Sequence, residues 1–239
     1  SVKMHSHSTN KPSSGASING LNALDFDKRS TDNIEYMEAK KNGSNWTPAT
    51  STGAISGKVQ DLALFMVAQI DTGRRNGFPF GFGWGDHFPW NNNQVYWKDS
   101  NSRSNFSLGT LGEAFVLCMI YSKSDGKQYA YCNGAKVFDG IRTDDTSTGD
   151  IAVFSWPATL ASGDLTDTSY GSDWTTGEIF VINGTIKDSE RQKAEGYLGH
   201  KWGIALSNDH AWAAYADGVS AIMTVSATDP DEDDLTYSI

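Results

Sequence analysis

The sequence predicts an all-β fold: a sandwich of two antiparallel sheets with one helix near the C-terminus docked on it. Three observations predict it. Between Asp61 and Ile182 the apolar residues fall in short runs or in alternation, the period of strands. Glycine-rich turns, drawn from 24 glycines in 239 residues, punctuate those runs. Sustained helical spacing is confined to residues 187 to 204. The length also suits one large sandwich domain, which commonly runs to roughly 200–250 residues.

Residues 1 to 17 are rich in Ser, Asn and Lys and read as a lead-in strand or linker. Leu21-Asn22-Ala23-Leu24-Asp25-Phe26-Asp27 alternates and opens the main domain, placed at residues 18 to 216. A polar stretch from Asn42 to Gly57 follows. Leu62 to Ile70 and Phe115 to Tyr121 are almost continuously apolar, so both are expected as central strands covered on both faces. Phe78 to Trp84 alternates Phe with Pro or Gly and leads into an aromatic loop, Gly85 to Asn93. Gln94 to Trp97, Ser104 to Leu108, Tyr129 to Cys132, Ile151 to Phe154 and Glu178 to Ile182 complete the strands. In the helix, Ser189 and Gln192 have capping-box spacing, and Asp188 and Glu190 put negative charge at its start. Ala194, Tyr197, Leu198 and Trp202 form one apolar stripe, and Gly203 suits the left-handed position that ends a helix. Residues 217 to 239 turn strand-like and strongly acidic, the start or returning strand of a further module.

The two cysteines flank a hairpin. Lys123-Ser124-Asp125-Gly126-Lys127 reads as a three-residue loop with Gly126 left-handed. With Lys123 opposite Lys127, Cys118 faces Cys132. Two readings stay open: a cross-strand disulfide in an oxidising compartment, or two buried thiols. A slip of one residue removes the facing pair.

A net charge of -10 excludes a nucleic-acid surface, which needs clustered Lys and Arg to displace counterions. The longest apolar runs are strand-length, far short of the about 20 residues that span a bilayer, so direct membrane insertion is not expected. Ser1 to Gly20 lacks the apolar stretch of a secretory leader, so the chain reads as cytosolic or as an internal slice of an exported protein. Asp outnumbers Glu and sits beside Gly, Ser, Thr and Asn, the setting of oxygen-liganded Ca²⁺.

No catalytic constellation is present. Strand-borne Glu-x-Asp-x-x-Glu, the two-carboxylate device of sandwich glucanases, is missing, as are a Gly-x-Ser-x-Gly elbow, His-Glu-x-x-His and a P-loop. Binding has better candidates. The loop Gly83 to Asn93 carries Trp84, Asp86, Trp90, Asn91 and Asn92; the loop Ser155 to Trp174 carries Asp164, Asp167, Tyr170, Asp173 and Trp174. Counting strands puts both loops at one end of the sandwich. Asp86, Asp164, Asp167 and Asp173 would hold Ca²⁺ between aromatic walls there, unless the tryptophans are core plugs. At the opposite end Asp144, Asp145 and Asp150 suit a structural Ca²⁺ loop, with Asp71, Asp99 and Asp125 in neighbouring loops.

Ala227-Thr228-Asp229-Pro230-Asp231-Glu232-Asp233-Asp234-Leu235-Thr236-Tyr237-Ser238 resembles the strand opening of bacterial cadherin-like repeats, with Glu232 where the family has Gly. The resemblance implies Ca²⁺ on Asp229 and Asp231. Ile18 to Asp27 and Ser189-Glu190-Arg191-Gln192-Lys193-Ala194-Glu195-Gly196-Tyr197-Leu198-Gly199-His200-Lys201-Trp202-Gly203 resemble the two ends of the bacterial laminin G-like, concanavalin A-like module, which carries Ala where Gly199 stands. That implies a jelly-roll sandwich. Together with the tail, the arrangement is similar to the ligand-binding region of giant calcium-dependent RTX adhesins. The resemblance implies a secreted, non-enzymatic module at a bacterial surface, monomeric within a long chain, gripping peptide C-termini of a surface protein through Ca²⁺. The alternatives are a lectin, with Trp84, Trp90 or Trp174 stacked on a sugar and Asn91 to Asn93 bonding its hydroxyls, or a structural spacer.

Overall fold

The computed structural model describes residues 3–6, 12–26, 36–40, 61–72, 87–90, 94–99, 102–122, 125–141, 159–161 and 173–213. Among them are thirteen strands: β1 (Lys3–Ser6), β2 (Ser13–Ile18), β3 (Leu21–Phe26), β4 (Tyr36–Lys40), β5 (Asp61–Thr72), β6 (His87–Trp90), β7 (Gln94–Asp99), β8 (Ser102–Ser107), β9 (Ala114–Ser122), β10 (Lys127–Cys132), β11 (Ala135–Ile141), β12 (Thr159–Ala161) and β13 (Asp173–Asn183). One helix, α1 (Asp188–Trp202), follows. The expected strands at Phe78 to Trp84 and Ile151 to Phe154 lie outside the described residues.

The main sheet has seven strands in the order β11-β10-β9-β5-β13-β3-β2, and every neighbouring pair is antiparallel. Two three-stranded sheets, β1-β4-β12 and β6-β7-β8, complete the architecture of an all-β sandwich with one helix. The continuously apolar runs became β5 and β9, adjacent and central. Alternation on β5 sends Leu64, Met66, Ala68 and Ile70 into one core with Phe26, Leu117 and Trp174, and Ala63, Phe65 and Val67 into a second with Val116, Leu198 and Trp202. Both faces are buried, which is why the strand reads as unbroken apolar sequence.

Helix α1 covers the second core. Its cap differs from the expected Ser189–Gln192 pair. Lys187 is the N-cap residue, and its N–H donates to the Glu190 carboxylate at 2.9 Å, while Gln192 reaches back to Asp188 at 2.6 Å. Serine at 189 is therefore already helical. Gly203 ends the helix at φ 60°, as expected. The stripe is also redrawn: Leu198 and Trp202 are buried, but Tyr197 is 49% exposed and hydrogen-bonds Glu178 across the surface. Arg191 and Glu195 occupy the buried face instead. Two glycines allow this close seat. A Cβ at Gly177 on β13 would lie 2.5 Å from the Trp202 ring, and one at Gly199 would lie 3.0 Å from the Ile204 carbonyl oxygen.

The hairpin register settles the cysteines. Ser122 pairs with Lys127, one residue off the expected register, so Cys118 faces Tyr131 and Cys132 faces Leu117. Directly opposite residues share a sheet face, so the two sulfurs belong to different cores. Both are reduced, buried thiols, and the disulfide reading is corrected.

Candidate functional site

A cleft of about 200 Å³ opens where the β9–β10 hairpin meets the β13–α1 connection and the first turn of the helix. Each element contributes through a local rule. Tyr129 and Tyr131 stand two apart on β10, so their rings share the helix side of the sheet. Asp125 sits in the hairpin turn, accepting the Lys127 N–H at 3.1 Å and the Tyr129 hydroxyl proton at 2.7 Å. Asp61 begins β5 opposite Ser122, and its carbonyl receives the Gly184 N–H at 2.8 Å. Asp188 and Arg191 come from the helix, three apart and therefore on one face.

Charge in the cleft is held firmly. Burial pushes the Asp125 carboxyl up, but hydrogen bonds from Tyr129, Ser122 and the Lys127 backbone outweigh it and keep the group below its ordinary value. Tyr129 moves the opposite way, raised by burial and by the Asp125 charge it serves. Asp188 is lowered first by its hydrogen bond to Arg191, whose Nε lies 2.9 Å and Nη2 2.6 Å from the same Oδ1. The guanidinium stacks on Tyr131 with Cζ 3.7 Å from the ring centroid. Burial pulls the Arg191 pKa down, but the charges of Glu195 and Asp188 more than reverse this.

Behind Arg191 lies a buried polar chain. Glu195 Oε2 receives Arg191 Nη1 and stands 3.1 Å from His210 Nε2. The Trp212 N–H donates to His210 Nδ1 at 3.2 Å, so in the neutral ring the proton is on Nε2 and points at Glu195. The turn from Ile204 to Ala213 is thereby pinned to the helix, with the Ala211 N–H on Gln192 at 3.1 Å, and to the β10–β11 turn, with the Ser207 N–H on the Asn133 carbonyl at 2.8 Å. Gly134 leaves room for it: a Cβ there would meet His210 Cδ2 at 2.5 Å.

The residues singled out from sequence fare unevenly. Trp84, Asp86, Asn91, Asn92, Asp144, Asp145, Asp150, Asp164, Asp167, Tyr170, Asp229 and Asp231 lie outside the described residues, and Trp90 is described only as the backbone end of β6, paired with Gln94. Trp174 is fully buried and stacked on Phe26, ring centroids 4.6 Å apart, so it is a core plug rather than a ligand wall. Asp173 opens β13 opposite Thr72. That register puts Asp71 at the same end as Asp173, not at the opposite one; Thr175 Oγ1 lies 3.1 Å from Asp71 Oδ2 and 3.3 Å from Asp25 Oδ1. Among the described residues no group of three or more His, Cys, Asp or Glu side chains could hold one metal ion. The cleft itself was missed. Its signal was available as Tyr-x-Tyr beside the Asp-Gly turn, but nothing in the sequence shows that Asp188 and Arg191 arrive there.

The fold recurs in solved binding domains of toxins. The Botulinum neurotoxin serotype G binding domain is 9% identical over 83% of this chain and 47% of its own, with TM-score 0.53. The binding domain of Paraclostridial Mosquitocidal Protein 1 is 8% identical over 83% and 48%, with TM-score 0.51. The Botulinum neurotoxin serotype D ligand binding domain in complex with N-acetylneuraminic acid is 8% identical over 83% and 46%, with TM-score 0.50. What is shared is the β-sandwich. This chain spans about half the length of those chains. No protein-family model matches the sequence, and no curated protein matches it at a significant level.

Proposed function

We propose that this chain is a glycan-binding, non-enzymatic module of a secreted bacterial surface protein, and that the hairpin–helix cleft is its site. The observation that carries the reading is the cleft's combination of Tyr129 and Tyr131 with Asp61, Asp125 and Asp188 on a lectin-like sandwich. A sugar offers an apolar C–H face to a ring and hydroxyl donors to carboxylates, and both partners are present. At about 200 Å³ the cleft is small beside the roughly 300–1,000 Å³ of drug-sized pockets, which suits a ligand no larger than one sugar unit within it. The likeness of fold to a toxin domain solved with N-acetylneuraminic acid supports the class of ligand, not its identity.

Calcium, adhesin context and a cadherin-like tail belong to the same proposal. They rest on the loop aspartates outside the described residues and on Asp229 and Asp231. The peptide C-terminus reading rests on those same loops and is the competing arm of the test. A glycan array and a peptide C-terminus library, each probed with and without EGTA, separate the two. Hits on glycans that vanish in Tyr129→Ala and persist in Tyr197→Ala are expected. Glycan hits indifferent to Tyr129 would move the site away from the cleft, and hits confined to free-carboxylate peptides would overturn the glycan reading.

A further inference from the structure

We infer that His210 and Gln192, which lie outside the cleft lining, are positioning residues for Asp188 and Arg191 within it, so that binding in the cleft depends on the turn after the helix. The inference rests on the glycan reading above and adds the residues that hold its site in shape. Two separate routes run from the turn to the lining. In the first, His210 Nε2 meets Glu195 Oε2 at 3.1 Å, the same oxygen accepts Arg191 Nη1, and the guanidinium stacks on Tyr131. In the second, the Ala211 N–H donates to Gln192 Oε1 at 3.1 Å, and Gln192 Nε2 donates to Asp188 Oδ2 at 2.6 Å.

Both routes end on Asp188. Its side chain is exposed at the mouth of the cleft, yet Oδ1 is held by Arg191 and Oδ2 by Gln192. A lining residue fixed in this way before the ligand arrives spares the cost of ordering it on binding. The turn itself is a firm anchor. A Cβ at Gly134 would meet His210 Cδ2 at 2.5 Å, and one at Gly196 would meet Trp212 Cβ at 2.6 Å, so two glycines seat it against the β10–β11 turn and the helix. Among the described residues Glu195 Oε1 accepts no hydrogen bond, so the carboxylate is oriented through Oε2 alone, by His210 on one side and Arg191 on the other. Without the His210 donor that carboxylate is free to turn, and the Arg191 Nη1 contact that steadies the guanidinium on Tyr131 loosens with it.

NMR of the full chain, together with titration of the protein onto a glycan array, tests this. The Arg191 Nε–H signal, identified by its loss in Arg191→Lys, is expected to exchange slowly with water in wild type. His210→Phe and Gln192→Ala should each speed that exchange and raise the half-saturating protein concentration on the array about tenfold, the scale of one lost hydrogen bond. His210→Gln, which keeps an N–H donor on the Glu195 side, should restore most of both. If His210→Phe fails to fold, as its backbone spectrum would show, the more exposed Gln192→Ala decides the question. Unchanged Arg191 exchange in Gln192→Ala and His210→Phe would overturn the inference. So would faster exchange with unchanged array binding, or a His210→Gln variant as impaired as His210→Phe, which would leave His210 a packing role only. An array with no hits would remove the glycan reading, while the Arg191 exchange would still support or overturn the positioning.

Discussion

At the scale of single residues, the buried groups make the sharpest predictions. Trp174, fully buried against Phe26, is a stability residue, and Trp174→Ala should cost about 3–5 kcal/mol by denaturant unfolding. A variant as stable as wild type would mean the ring is not in the core. Glu195 is buried between Arg191 and His210, so Glu195→Gln removes one of the guanidinium's two counter-charges while Asp188 keeps the other. The loss should therefore fall short of the about 3–5 kcal/mol that leaving a buried charge wholly unpaired typically costs. A double-mutant cycle with His210→Ala should show coupling, because both contacts end on the same carboxylate oxygen; strict additivity would argue against the chain of contacts. Burial raises the Cys118 thiol and pushes Cys132 up to about 12. Neither is a thiolate near neutral pH, so alkylation of the native protein should fail and proceed only on unfolding.

At the scale of elements, the hairpin and the helix each depend on one contact the local sequence does not reveal. The β9–β10 register separates the cysteines onto opposite sheet faces, so oxidant should produce no internal disulfide in the folded chain, checked by mass under non-reducing conditions. The helix rests on β13 at Gly177, where a methyl group would enter the Trp202 ring space. Gly177→Ala should therefore lower the melting temperature although alanine is an ordinary strand residue in size, and an unchanged melt would show that the helix can move aside. Capping followed the same lesson. Ser189 had the favoured chemistry, but the chain enters the helix two residues earlier, and Glu190 reached the Lys187 N–H because the backbone turn placed it there.

At the scale of the whole molecule, acid should loosen the cleft and its surroundings together. Asp125, Asp139, Glu178 and Asp188 all sit below their ordinary values in the folded chain. Groups lowered by folding contribute stability that is complete above their unfolded pKa, about 3.9 for Asp and 4.3 for Glu, and lost as pH falls through the lower folded values. Thermal melts taken from neutral pH downward should stay level and then fall in that acidic window; a decline beginning near neutrality would point to other groups. Strand period, apolar runs and the Gly203 stop determined the sandwich and its late helix, because covering a sheet on both faces demands an unbroken apolar strand such as β5. That Asp71 shares an end with Asp173, which face each cysteine takes and that Trp174 meets core were decided only by strand pairing and register, since one residue of slip exchanges the faces. The cleft belongs wholly to that second class. Asp61, Tyr129 and Arg191 are far apart in the chain, and only the β5–β9 pairing and the packing of the helix beside the hairpin bring them to one cleft.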